Sequence, residues 1–396
     1  MLSPSSSFNL NPHITPNSFL SHVSRAEGGN TSALSPSTTL IYFISGNPGL
    51  ISYYHLFFSL LSSDLSQSFS HDPGANGSYI IRGRSLGGFE VPEAQSVHVK
   101  GEEDTNAKSP KARLYSLDEQ ISFMERDLEV FVRTWQDAAM QQRKLDERPR
   151  ANVIVMGHSV GAYMAMEIMR RRREKAGLQR RVDGVVPQST GANGGGDELG
   201  LDIIGGILLF PTVVDIAKSP NGRVLTKLLY IPSLPLLVSL FARFLVLILP
   251  ELVLYSIVSR FMRNPRKEAV ETTVSMLKNA HIVRQALHMA ADEMKDISAD
   301  KWNDEIWGFS SPTHAPKDRL TKMVFYFGRN DHWVAEATRK DIIQSKSRAE
   351  QDGSGPVLKV CEDGVAHGFC IGHNEIMAKK VGQFIRDIVQ ESGLDS

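Results

Sequence analysis

A serine hydroxyl becomes a useful nucleophile when a neighbouring base takes its proton and a third group orients that base. The segment Gly157-His158-Ser159-Val160-Gly161 offers such a serine in a Gly-x-Ser-x-Gly pattern. Glycines suit the two outer positions because a tight strand-to-helix turn brings backbone close on both sides. Chains rich in Gly and Ser produce this pattern by chance, so a base and an acid in the right order are required to support it. His367 lies six residues after the apolar run Val357–Cys361, on a loop at a strand's C-terminal end, where open α/β sheets carry reactive groups. His373 is its rival, and His158 inside the turn reads as a support rather than a base. For the acid, Asp331 follows the apolar run Met323–Phe327 and gives the chain order Ser159, Asp331, His367. Asp215, just after the Gly206–Phe210 run, is the alternative. A tetrahedral oxyanion needs backbone donors. The amide of Val160 supplies one; Asn47, in Gly46-Asn47-Pro48-Gly49, supplies the other, since Pro48 has no amide hydrogen. The chemistry is acyl transfer through a covalent acyl-enzyme.

The elements around these residues have the alternation expected of an α/β fold with a mostly parallel sheet flanked by helices. Thr39–Ile44 reads as a buried strand ahead of Gly46-Asn47-Pro48-Gly49, and an apolar helix starts near Tyr53, with Ser62–Gly77 polar and loop-like. Tyr79–Arg82 is a further strand. Leu117–Ala139 carries Ile121, Met124, Leu128, Phe131, Val132 and Trp135 at helical spacing, with Ser116 and Glu119 placed for a capping box. The strand Asn152–Met156 enters the serine turn, and the helix after it is expected to close at Arg170–Arg173 with Gly177 as a stop. A helical stretch over Glu268–Met294 and a last helix over Glu375–Val389 complete the pattern. The organisation expected is a leader over 1–30, a first core part over 31–217, an inserted hydrophobic helical cap over 218–316 before the last two strands, and the rest of the core over 317–396.

Composition narrows the partners. The 396 residues hold 44 basic and 44 acidic side chains, so no basic field draws nucleic acid to the chain. Two cysteines, Cys361 and Cys370, make no disulfide framework and fit a reduced compartment. No His-Glu-x-x-His, clustered Cys/His or Gly-rich phosphate loop occurs, so neither a metal nor another cofactor is expected. Met1–Asn30 is rich in Ser, Pro and Asn, lacks a basic start followed by an apolar run, and reads as a disordered leader. Leu228–Pro250 has the length of a membrane span, yet Pro232, Pro235 and Pro250 break helical hydrogen bonding and Arg243 falls near the middle. A surface hairpin dipping into one lipid leaflet through Leu237, Leu240, Phe244 and Leu247 fits this pattern, as does a buried pair of cap helices.

Several segments together resemble the lipid droplet-associated serine hydrolases. They are Phe43-Ile44-Ser45-Gly46-Asn47-Pro48-Gly49 with Tyr53 and Tyr54, Gly157-His158-Ser159-Val160-Gly161-Ala162-Tyr163, Leu209-Phe210-Pro211-Thr212 with Ser219-Pro220-Asn221-Gly222, and Ala366-His367-Gly368-Phe369-Cys370. The likeness runs from about Thr38 to Val389; insertions at Val99–Lys111 and Gly184–Gly200 set the chain apart from the shortest members. It implies an α/β-hydrolase fold, a triad of Ser159, Asp331 and His367, and a hydrophobic cap hairpin matching Leu228–Pro250. It also implies a place on lipid droplets and the cytoplasmic face of the endoplasmic reticulum. The expected activity is hydrolysis of an apolar carboxylic ester, a lipid or sterol ester. The alternative from another class is a non-catalytic or weakly catalytic droplet surface protein that keeps a hydrolase fold.

Overall fold

The computed structural model describes residues 10–24, 38–71, 78–92, 113–182, 199–231, 233–262, 265–309, 321–347 and 355–393. Val99–Lys111 and nearly all of the Gly184–Gly200 loop lie outside them. One eight-stranded sheet organises the chain. Its strands are β1 (His13–Thr15), β2 (Ser18–Ser24), β3 (Thr38–Ile44), β4 (Ser78–Arg84), β5 (Ala151–His158), β6 (Leu201–Leu209), β7 (Lys322–Phe327) and β8 (Val357–Val360). They lie in the order β1-β2-β4-β3-β5-β6-β7-β8. From β4 to β8 every pairing is parallel; β2 joins β4 antiparallel and β1 closes the edge as a hairpin.

The central strands are apolar along their whole length because helices cover both faces. In β3 all seven residues are buried, and successive side chains enter different layers. Leu40, Tyr42 and Ile44 pack with α2 (Leu117–Arg143) and α3 (Val160–Val182). Ile41 and Phe43 pack with α1 (His55–His71) and α11 (Asn374–Glu391). The expected face of α2 is buried, and its capping box forms: the Glu119 amide donates to Ser116 Oγ at 3.3 Å and the Ser116 amide donates to Glu119 Oε2 at 2.9 Å.

Four expectations need correction. The leader is ordered structure over 10–24: strand β2 pairs along β4 from Ser18↔Arg84 to Ser24↔Ser78 and buries Phe19, Leu20 and Val23. Three buried apolar residues among half-buried serines and a histidine suffice for this strand, so composition hid it. The Ser62–Gly77 loop is helical as far as His71, because Leu61, Leu65 and Phe69 continue the buried row of Phe57 and Phe58 while serines fill the outer face. Helix α3 runs through Gly177 to Val182, and its arginines lie along the helix rather than at its end. Arg171 pairs with Asp118, Arg172 with Glu129 (3.2 Å) and Lys175 with Glu125 (2.7 Å), tying α3 to α2. The Glu268–Met294 stretch is two helices, α7 (Lys267–Lys278) and α8 (Ala280–Asp296), broken where Asn279 Oδ1 accepts from the His281 and Ile282 amides.

Between β6 and β7 the chain leaves the sheet for α4 (Pro220–Leu229), α5 (Leu234–Ile248), α6 (Glu251–Phe261), α7, α8 and α9 (Asp304–Trp307). Helix α10 (Glu336–Lys346) then follows β7. Among the described residues no single helix is long and apolar enough to cross a membrane; α4 and α5 pass that test only as a pair bent by 97°. Helix α5 turns its small residues Ser239 and Ala242 inward. Its large ones face out: Leu237, Leu240, Phe244 and Leu247 are 52, 53, 57 and 75% exposed. An apolar row of that kind is the reverse of what a helix buried under solvent presents.

Candidate active site

Strand β5 delivers Ser159 to the C-terminal edge of the sheet, and α3 starts at the next residue. The serine has φ +56°, in the left-handed region, the strained turn that lifts a nucleophile clear of the sheet. Both flanking glycines are required by space. A Cβ on Gly157 would lie 2.3 Å from the Gly161 carbonyl oxygen, and one on Gly161 would lie 2.2 Å from that of Ile44.

Ser159 Oγ is 2.8 Å from His367 Nε2, and His367 Nδ1 is 2.8 Å from Asp331 Oδ2. An ionised carboxylate only accepts, so Nδ1 carries the proton and Nε2 is left as acceptor for the serine hydroxyl. The Asp331 side chain is 1% exposed. Its Oδ1 accepts from the Trp333 amide at 2.8 Å, and Arg339 donates to the carbonyls of Gly328 and Arg329, bracing the turn that carries it. The rivals stand elsewhere. Asp215 pairs with Lys218 Nζ at 2.8 Å, and His373 occupies the N-cap of α11.

His158 does support the elbow, through two buried bonds. Its Nε2 donates to the His367 carbonyl at 2.8 Å, so its Nδ1 accepts from the Tyr54 hydroxyl at 2.7 Å. Tyr54 Oη in turn accepts from the Gly46 amide at 3.2 Å. One chain of bonds thus joins the Gly46–Gly49 loop, the nucleophile turn and the backbone of the base. Sequence reasoning missed Tyr54; the available signal was a Tyr pair just after the Gly-Asn-Pro-Gly turn.

Burial, and then the neighbouring His367 ring, pushes the His158 imidazole down to about 3. An unfolded chain protonates this ring near its ordinary 6.5 whereas the folded one resists, so stability present above pH 6.5 is lost as pH falls. The melting temperature should therefore drop between pH 6.5 and about 4.5, above the range where most carboxylates titrate, by an amount on the order of a few kcal/mol in stability. His55, pushed down to about 4 by burial, adds to the same slope. Melting curves of His158→Gln across this window should be shallower than wild type; parallel curves would remove His158 as a cause.

Of the two expected oxyanion donors, Val160 directly follows the nucleophile and Asn47 follows Gly46. Val160 is the first residue of α3, where an amide has no acceptor within the helix. The Gly46 backbone lies so close that a Cβ there would meet Ser159 Cβ and His158 Nδ1 at 3.1 Å. The next residue, Asn47, spends its carboxamide on α8, donating from Nδ2 to the Ala286 carbonyl at 2.9 Å and to Glu293 Oε1 at 2.8 Å. Phe210 packs edge-on to His367, with ring centroids 5.9 Å apart, and Trp333 lies 6.5 Å from the same ring. Among the described residues no group of three or more His, Cys, Asp or Glu side chains could hold a metal ion.

The family model described as lipid-droplet associated hydrolase matches residues 37–370. The chain belongs to this family. The chain is similar to the lipid droplet-associated hydrolases of Gallus gallus, 23% identical, Pongo abelii, 26%, and Homo sapiens, 25%. Each of these matches covers 88% of this chain and 85% of the relative. Membership makes the chain a hydrolase, and the sheet order with its antiparallel β2 and the serine turn after β5 is that of an α/β-hydrolase.

Proposed function

We propose that this hydrolase cleaves an apolar carboxylic ester, a lipid or sterol ester, at the surface of a lipid droplet or the cytoplasmic face of the endoplasmic reticulum. The observation that carries the reading is the continuous bond path from Ser159 through His367 to buried Asp331. Ser159 Oγ attacks the ester carbonyl while His367 Nε2 takes its proton, and Asp331 stabilises the imidazolium. Negative charge gathers on the carbonyl oxygen, where the Val160 and Asn47 amides receive it. Collapse of the intermediate breaks the ester C–O bond, and His367 returns the proton to the departing alcohol. Water repeats the sequence on the acyl-enzyme, releasing the acid and restoring Ser159.

The lipid setting is supported by the inserted helices, which act as a cap over 218–316, and by the name shared by the relatives. Leu237, Leu240, Phe244 and Leu247 form an outward row on α5, and α6 carries Leu252 and Phe261, 82 and 85% exposed. Arg243 and Arg260 are exposed on the same two helices and are long enough to reach headgroups. Burying a Leu or Phe side chain contributes roughly 1.5–3 kcal/mol, so four together outweigh the cost of peripheral docking. Changing the four α5 residues together to Gln should abolish flotation with phospholipid-coated triolein droplets while hydrolysis of a soluble short-chain ester continues. Retained flotation with an intact melting curve would show that α5 is not the anchor. The reaction itself is tested by fluorophosphonate labelling of wild type against a Ser159→Ala control, followed by a panel of esters of rising chain length; labelling that ignores the Ser159 change, or no turnover across the panel, overturns the reading.

A further inference from the structure

Asn47 and Glu293 are 246 positions apart in sequence, yet their side chains meet one residue beyond Gly46, whose backbone lies against Ser159. Glu293 projects from α8 and is 5% exposed, and among the described residues it has no cation to pair with. A buried carboxyl without a cation is costly, and sites that keep one commonly use it. Its hydrogen-bond partner is the residue expected to donate a backbone amide to the oxyanion. The helix that carries it is held independently. Gln285 accepts from the Tyr115 amide at 2.7 Å and donates to the Tyr115 carbonyl at 2.8 Å, and Asp292 accepts from the Leu117 amide at 3.0 Å. Glu293 is therefore not needed to dock α8, and its own bond goes to the catalytic loop alone.

We propose that Glu293 is a positioning residue of the inserted helices that fixes the oxyanion loop: by holding the Asn47 carboxamide against α8, it sets the direction of the Asn47 backbone amide. This inference rests on the ester hydrolase reading given above. Both Nδ2 hydrogens of Asn47 are committed to α8, one to Ala286 and one to Glu293, so the side chain cannot rotate without breaking two bonds. With the side chain clamped, the peptide that precedes it has little freedom, which is the condition for an oxyanion donor that costs no reorganisation during the reaction. The same clamp makes the helices above the site part of the catalytic geometry, so a shift of α8 is felt at the oxyanion.

The protonation state of Glu293 matters to this role. Burial, with a smaller contribution from Asp292, raises its carboxyl to about 8 against the opposing pull of the Asn47 bond. In neutral solution the group is mostly uncharged and accepts from Asn47 without adding negative charge near the oxyanion. Above pH 8 it ionises, and a carboxylate without a cation then opposes the charge that develops in the transition state. Asp292 is the charged neighbour that acts on it, and no arginine, lysine or histidine of the described residues bonds to it.

Two variants and a soluble short-chain ester test this in the full chain. Glu293→Ala should lower kcat by about 10- to 100-fold, less than loss of an oxyanion donor outright, with KM changed less than threefold. Glu293→Gln, which keeps the acceptor and stays neutral, should recover most of that kcat. The wild-type kcat should fall as pH climbs through about 8, and the Glu293→Gln profile should stay level there. A merely structural role would move melting temperature or KM and leave the shape of the pH profile alone. If Glu293→Ala fails to fold, the Glu293→Gln profile still decides. Wild-type kcat in Glu293→Ala, or identical alkaline profiles for wild type and Glu293→Gln, would overturn the proposal. If Ser159→Ala also keeps full turnover, it is the ester hydrolase reading that has failed; if Ser159→Ala is dead, only the role of Glu293 has.

Discussion

Ser159→Ala is expected to lower turnover of a soluble short-chain ester by at least about 10³-fold while leaving the melting temperature close to wild type. The hydroxyl is the atom that attacks, and nothing else near His367 Nε2 replaces it, so what remains is the residual rate from binding and the oxyanion donors. The fold should not depend on Oγ. The turn is shaped by close backbone approach at Gly157 and Gly161, and by the Ser159 amide donating to the Leu209 carbonyl at 2.9 Å. Alanine keeps both. It meets the left-handed φ of +56° with the same Cβ that serine has, so little strain is added. Turnover and a melting curve measured on one preparation suffice: full turnover in a folded Ser159→Ala protein would remove Ser159 as nucleophile.

What could be read from the sequence follows from which interactions leave a local pattern. Strands β3 and β5 are apolar throughout because both faces are covered, so they stand out as short runs. The serine turn, the expected base and the expected acid each sit just past such a run, as does the rival Asp215. The structure brings Ser159, His367 and Asp331 together and leaves Asp215 on Lys218. Signals failed where few apolar residues carry the burial. Strand β2 has Phe19, Leu20 and Val23 among serines, and the end of α1 hides Leu65 and Phe69 in a serine-rich stretch. Arg170–Arg173 looked like a helix end because cations favour that end, but their acidic partners are side chains of α2 and of α3 itself, and for Arg173 Glu305 on α9.

The polar bonds that position the site leave no local trace at all. Tyr54 and His158 are 104 residues apart, and Asn47 and Glu293 more than twice as far. Each residue alone reads as ordinary: a Tyr after a turn, a His in an elbow, a Glu on an amphipathic helix. Only when the sheet sets β3 beside β5, and α8 folds back over the Gly46–Gly49 loop, do they form one network. Composition can identify the reacting groups because chemistry demands particular residue types. It cannot identify the groups that aim them, since many polar pairs would serve and the fold decides which pair meets.

Asp331→Asn is the second large effect, and it isolates orientation from nucleophilicity. The asparagine can keep the local turn, because its carbonyl oxygen can still accept from the Trp333 amide as Asp331 Oδ1 does at 2.8 Å. Its other atom becomes an NH₂ facing His367 Nδ1, where the carboxylate accepted at 2.8 Å. The imidazole must then accept at Nδ1 and carry its proton on Nε2, pointing it at a serine hydroxyl that needs an acceptor. The expected loss in kcat is on the order of 10⁴, with KM and melting temperature changed little. Asp215→Asn should cost less than about threefold, since its carboxylate only meets Lys218 in an exposed i,i+3 pair. Measured side by side, the two variants weigh β6 against β7 as the strand that supplies the acid. A large loss for Asp215→Asn and a small one for Asp331→Asn would move the acid to β6. Equal small losses would mean that His367 is held well enough by its carbonyl bond to His158 and by Phe210 and Trp333 around its ring to work without a carboxylate.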